Sequence, residues 1–473
     1  MEIKNYSDLV DFHSDKYTLQ GRKLLLNLFK TGVDAVDPYE IVRNTLRFNP
    51  ETNTIKIKNF SYKLKTENIW VIGVGKAVGR MAEAVEKIVT TPKVSGIICV
   101  PEGVKNALNL TNIQCLESLH PLPSKKNLIN TEKVIDFVKQ VKPEDLVISL
   151  ISGGGSALWA SPITPISLND LQALNQTLIS SGMSIHEINV IRKHVSNIKG
   201  GKFTQMIPSV NLSLIISDVI GDNIESIASG PFFPDSSTYM SVQRILEKYN
   251  LQDRGLPSSV YQVITEGLRG VIEETPKRNN SIFFKVHHFL LGSNEIARKA
   301  ISERAKVWGI DVIDKKELVY DDARSVGRNF VEEIMKIEST KPILYISGGE
   351  PIVTVQGSGK GGRNQEVVGG FLEDVLSKST NLDVALLVAG TDGIDGNSLF
   401  AGAISDSYTI QEIIRKKINL RSFQDNNDMT SFFQEVGRSL ILSGPTGTNV
   451  MDIQMILVNV SKIVVSSSFL RPK

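Results

Sequence analysis

The decisive stretch is WVIGVGKAVG at residues 70–79, an apolar run that breaks into a glycine turn and then opens a helical pattern. Five further runs share the form: LVISLISGGG at 146–155, LSLIISDVIGD at 212–222, ILYISGGE at 343–350, ALLVAGTDG at 385–393 and LILSGPTG at 440–447. Continuous Val/Ile/Leu runs without alternation predict strands of a parallel sheet covered by helices on both faces. Ligands of such sheets bind beyond the carboxyl ends of the strands, where these small-residue loops fall. Glycine lets backbone approach an anion closely, and Ser, Thr and Asp supply donors and metal ligands. Six such loops predict an enzyme that handles phosphate.

The chain has 473 residues, enough for two or three domains, and 41% apolar with 22% charged residues is ordinary globular composition. A net charge of +2 gives no reason to expect nucleic acid or an acidic membrane as partner. Cys99 and Cys115 have no metal-ligand spacing and read as reduced core thiols. No apolar run reaches the length of a membrane span, and the polar start MEIKNYSDLVDF fits no export signal, so the expected compartment is the cytoplasm. Self-association as a homo-oligomer is compatible with this composition.

Strand–loop–helix order from residue 69 onward predicts right-handed parallel crossovers, after a helical lead-in with one alternating piece at 54–57. Residues 185–199 form a helix opened by a Ser184/Glu187 capping box, with Asn189, Arg192, Ser196 and Lys199 as a polar stripe beside an apolar face. The polar segment EETPKRNNS at 273–281 reads as a hinge, dividing the chain into 1–281 and 282–473.

Lys76 opens a helix behind Gly73 and Gly75, opposing the macrodipole unless an anion sits between. Ser152, Gly153, Gly154, Gly155 and Ser156 make a second anion nest, and no esterase elbow accompanies them. GSGKGGRNQE at 357–366 lacks Walker spacing but offers Gly361, Gly362, Arg363 and Asn364 to an oxyanion. Asp218, Asp222, Asp392 and Asp395 follow strands and are candidates for Mg²⁺ or for accepting a hydroxyl proton, with no choice among them. His120 and the loop bearing Thr446 and Asn449 complete the set.

Nine blocks resemble the class II glycerate 2-kinase family with a MOFRL C-terminal domain: VIGVGKAVGRMA, HPLP, SGGGSAL, INVIRKHVSNIKGGKF, SDVIGDNIESIASGP, ISGGEP, GKGGRNQE, AGTDGIDG and GPTGTNV. The resemblance implies a Rossmann-like N-terminal domain, a smaller C-terminal α/β domain and an active site in the cleft between them. It further implies transfer of phosphate from ATP, with Mg²⁺ or another divalent cation, to D-glycerate, typically giving 2-phosphoglycerate. The family's catalytic lysine and arginine fall on Lys76 and Arg363. The competing expectation is an NAD(P)-dependent hydroxypyruvate reductase, with Glu102 as the ribose partner.

Overall fold

The computed structural model describes residues 1–90, 93–378 and 382–463. Helix α1 (Lys16–Ala35) leads the chain, its first turn capped by the Asp15 carboxylate, which accepts from the N–H groups of Tyr17 and Thr18. The chain forms two compact units, residues 38–291 and residues 1–37 with 292–473. This corrects the expected division at 281/282. The first 37 residues join the C-terminal unit because α1 buries Leu24, Leu25, Leu28 and Phe29 against its helices and strands. Nor are residues 273–281 a hinge. Thr275 Oγ1 donates to Asp235 at 2.9 Å, the Glu274 carboxylate accepts from Tyr239 N–H at 2.9 Å, and Pro276 O accepts from Asp235 N–H at 3.0 Å. Local polarity cannot reveal partners forty residues away.

Residues 38–291 begin with an antiparallel meander, β1 (Leu46–Asn49), β2 (Thr54–Ile57) and β3 (Phe60–Lys63). The alternating piece at 54–57 is β2, with its Ile55 and Ile57 inward. The main sheet follows: β4 (Asn68–Val74), α2 (Val78–Ile88), β5 (Lys93–Pro101), β6 (Ile113–Ser118), α3 (Lys125–Val138) and β7 (Leu146–Ile151). After α4 (Leu168–Ser180) and α5 (Ile185–His194) come β8 (Val210–Ile216) and, much later, β9 (Val286–Gly292). Strand order is β6-β5-β4-β7-β8-β9, with β4–β5, β5–β6, β4–β7 and β7–β8 all parallel. Every β7 residue is buried, which is why the run carries no polar alternation. The chain winds outward from β4 to β6, then returns to the other side of β4 at β7. The switch point therefore lies between β4 and β7, and the two glycine loops leave from there.

The C-terminal unit contains α6 (Asn294–Val307), β10 (Asp311–Asp314), α7 (Ala323–Met335), β11 (Ile343–Gly349), α8 (Arg363–Lys378), β12 (Val384–Gly390), β13 (Gly402–Ser405), β14 (Leu440–Ile441) and β15 (Asp452–Val458). Sheet order is β10-β11-β15-β12-β13-β14, and only β10–β11 is parallel. The three runs at 343–350, 385–393 and 440–447 were expected in a parallel sheet. Instead β15 lies antiparallel between β11 and β12, and the third run supplies two edge residues. An unbroken apolar run reports burial of both faces, complete in β11 and β12, and says nothing of a neighbour's direction. Helices α7 and α8 touch backbone to backbone: a Cβ on Gly327 would stand 2.0 Å from Val367 O, and one on Gly370 2.2 Å from Arg324 O.

Candidate functional site

In the N-terminal unit four loops meet at the switch point. Gly75, at φ +139°, lets the β4 turn press on the β7 loop, since a Cβ there would lie 2.2 Å from Ser152 Oγ. Ser152 is buried and its Oγ accepts from Ala77 N–H at 3.0 Å, so it fastens the start of α2. Gly153 O accepts from Lys76 N–H at 2.9 Å. A Cβ on Gly153 would fall 1.7 Å from an Asp218 carboxylate oxygen, and one on Gly154 would meet the His120 ring at 3.2 Å and Lys76 Cγ at 3.3 Å. Lys76, His120, Asp218 and the bare glycine backbone thus share one small space. Gly73 and Gly155 serve packing: Gly73 faces Ile98 and Leu150, Gly155 faces Ala228.

The electrostatics follow from that crowding. Burial, then the Lys76 charge, pushes the His120 imidazole down to about 4, so it is neutral at physiological pH. Burial raises the Asp218 carboxyl above its ordinary value, and the Lys76 ammonium opposes that rise.

Helix α5 starts at the expected capping box, Glu187 N–H donating to Ser184 Oγ at 3.3 Å, but ends at His194. Ser196 and Lys199 consequently lie beyond the helix, yet both line one pocket with Arg192 and Ser156. Asn189 is buried; its Oδ1 accepts from Ser229 Oγ at 3.0 Å, and Ser229 in turn lies 2.7 Å from Ser156 Oγ. It holds the Ser156 loop through Ser229.

In the C-terminal unit Arg363 is the first residue of α8. Its Nε and Nη2 grip the Asp452 carboxylate, and Nη2 also reaches Glu350 at 3.0 Å. Burial lowers the guanidinium, but Asp452 and then Glu350 outweigh it and raise it above its ordinary value. Asp452 opens β15 opposite Gly349 and Gly390, the last residues of β11 and β12, so three central strands aim this fork. Sequence reasoning missed both partners. A signal existed: Asp452 is the only charged residue between 444 and 458.

Several of the expected ligand residues make internal contacts. Asp395 is buried and accepts from the N–H groups of Asn364 at 3.0 Å and Gln365 at 2.9 Å, capping the first turn of α8. Both of its carboxylate oxygens thus hold the start of α8. Asn364 is buried too, its Nδ2 donating to Asp395 at 3.2 Å. Gly362 lies where a Cβ would strike Asp395, and Gly361 N–H donates to Asn397 Oδ1 at 2.8 Å. Thr446 Oγ1 donates to Thr391 O at 2.6 Å, tying the loop after β14 to the loop after β12, and Asn449 Oδ1 accepts from Met451 N–H at 3.1 Å within its own loop. Asp392 Oδ1 accepts from Ile394 N–H at 3.1 Å, while Asp222 sits at φ +51°. Among the described residues no three His, Cys, Asp or Glu side chains group as a metal centre.

A doubly wound sheet with a cationic glycine cradle at its switch point defines an α/β enzyme for anionic ligands. A domain of unknown function, DUF4147, matches residues 24–265, and the MOFRL family matches residues 343–452. The chain is 35% identical to glycerate 2-kinase of Pyrococcus horikoshii over 92% of its own length and 97% of that protein. The crystal structure of glycerate kinase from Thermotoga maritima superposes with a TM-score of 0.77 at 32% identity, covering 92% of this chain and 99% of the other. A protein of Agrobacterium vitis named a putative hydroxypyruvate reductase is 32% identical over 93% of this chain and 95% of its own. The chain belongs to the glycerate kinase family, with a DUF4147 region followed by a MOFRL domain.

Proposed function

We propose that the protein transfers the γ-phosphoryl group of ATP to a hydroxyl of D-glycerate, giving 2-phosphoglycerate. The observation that carries this reading is the cradle at the switch point, where Lys76 meets the Gly153–Gly154 backbone, a neutral His120 and Asp218. Phosphoryl transfer asks a protein chiefly to position two reactants and to neutralise oxygens as charge develops. Lys76 supplies a mobile point charge, and Arg363 supplies guanidinium donors in a fixed direction. Asp218, with raised proton affinity, accepts the proton of the acceptor hydroxyl as the new P–O bond forms.

Mg²⁺ accompanies ATP as part of the substrate and neutralises phosphate oxygens when bound. It needs one or two carboxylates besides phosphate and water, so the lack of a three-carboxylate cluster among the described residues is compatible with it. Asp218, Asp222 and Asp392 are the candidate carboxylates to hold it, each taken singly. Among the described residues no helix is long and apolar enough to cross a membrane.

Phosphorus NMR of a mixture of protein, D-glycerate, ATP and Mg²⁺ tests the reading, expecting ADP and a single phosphomonoester coupled to the C2 proton. Coupling to the C3 protons would correct the regiochemistry, and unchanged ATP would sink the kinase. The reductase reading is favoured by the name of the Agrobacterium vitis relative. Against it, Glu102 at the end of β5 is exposed and pairs with Lys126 at 2.8 Å. Oxidation of NADH on adding hydroxypyruvate would restore it.

A further inference from the structure

The pocket beside α5 holds two cations that the fold leaves without a counter-ion. It is lined by Arg192, Lys199, Ser156, Asn175 and Ser196, with Leu171 and Val195 as apolar wall. The Arg192 Nε and Nη2 both donate to the neutral Asn175 Oδ1, at 3.1 and 2.9 Å. Lys199 is 7% exposed, and its Nζ donates to two neutral carbonyls, Ser156 O at 2.7 Å and Trp159 O at 3.1 Å. Neither meets a carboxylate within 4 Å among the described residues.

The same helix shows what a purely structural cation looks like. Lys193 is equally buried and is matched by the Asp235 carboxylate at 3.1 Å. A buried charge without a partner is costly, and folds rarely retain one idly. Its cost here is visible: burial, then the Arg192 charge, pushes the Lys199 amine down to about 7. Capping the carbonyls at the end of the short turn Gly155–Leu158 accounts for Lys199 in structural terms. It does not account for Arg192, which touches no carbonyl of that turn.

We propose that this pocket is an oxyanion subsite that takes the carboxylate of the hydroxy-acid acceptor, with Arg192 as the residue that selects acids over neutral polyols. The proposal rests on the kinase reading for the identity of the acceptor. The donors support a carboxylate: a planar guanidinium fork matches a planar two-oxygen acceptor. Position supports it as well. Gly154, against Lys76, and Ser156, holding Lys199, are two residues apart, so their Cα atoms are separated by about 7 Å at most. The pocket and the Lys76 cradle thus share one short loop. A carboxylate and a nucleotide phosphate are both oxyanions, and the experiment separates them.

The test uses the full-length protein and Arg192→Gln, with Arg192→Lys as a charge-retaining control and thermal melting to confirm folding. Calorimetry titrates D-glycerate, glycerol and inorganic phosphate into each protein without nucleotide, and steady-state assays give KM for D-glycerate and for ATP. The expectation is glycerate binding to the wild type, weakened about 10- to 100-fold in Arg192→Gln and partly restored in Arg192→Lys, as for loss of a charged hydrogen bond. KM for D-glycerate should rise in parallel while KM for ATP does not, and glycerol should not bind. No glycerate binding by the wild type, or equal binding by folded Arg192→Gln, overturns the subsite. A rise confined to KM for ATP, or a loss confined to phosphate, assigns the pocket to the nucleotide and overturns the carboxylate. Arg192-dependent glycerate binding without phosphoryl transfer would sink the kinase reading and leave the subsite standing.

Discussion

The two units hold their leading cations in opposite ways. Lys76 forms no ion pair among the described residues and stands over bare glycine backbone, with His120 kept neutral beside it. Arg363 is clasped by Asp452 and Glu350. With both carboxylates ionised, that trio carries net negative charge, so the arginine offers direction more than charge. The lysine offers charge on a flexible stem. The two cations are thus suited to different tasks, one to neutralising charge and the other to fixing a direction.

The largest expected effect tests the lysine: Lys76→Ala should lower kcat by about 10²–10⁵, the range for lost charge stabilisation in phosphoryl transfer. Turnover near wild type in the folded variant would remove Lys76 from the chemistry. Asp452→Asn probes orientation in the C-terminal unit. It leaves Arg363 charged but loosens its fork, so kcat should fall by about 10- to 10³-fold, with a lower melting temperature because a buried pair is broken. If kcat holds while stability drops, the fork is structural and the division of labour fails.

The smallest expected effect concerns the cap of α8. Burial raises the Asp395 carboxyl from 3.8 to about 7, with backbone donors opposing and Asp452 assisting. The folded state therefore binds a proton that the unfolded state has released between about pH 4 and 7. Stability should fall as pH rises through that window. Asp395→Asn removes the titration, and its melting temperature should be flatter with pH than that of the wild type. Parallel curves for the two proteins would show that Asp395 does not titrate there.

Much of the N-terminal unit was legible. The runs at 70–75, 146–151 and 212–216 are adjacent parallel strands, and the capping box at Ser184 opens its helix. Lys76, Gly153, Gly154 and Asp218 came together because the loops of a doubly wound sheet converge where strand order reverses. The C-terminal unit was read less well, for physical reasons. Apolarity records burial, which β11 and β12 share with parallel strands, and direction is set by a partner 60 residues or more away. Asp395 looked like a ligand since an acid after a strand can serve a metal or a helix equally well; only the backbone N–H groups of Asn364 and Gln365 decide. The Arg363 fork needed Asp452 to be seen beside it, 89 positions later.

Placing β15 between β11 and β12 has a consequence for biogenesis. The C-terminal sheet has a vacant centre until residues 452–458 emerge from the ribosome, although its helix α1 precedes residues 38–291 in the chain. Residues 38–291 are by then fully synthesised, so one half of the molecule can mature while the other waits with both flanks of a missing strand open to solvent. Trimming the chain ahead of Asp452 would strand the protein in that half-built condition, with Leu344 and Leu386 on unpaired edges inviting aggregation.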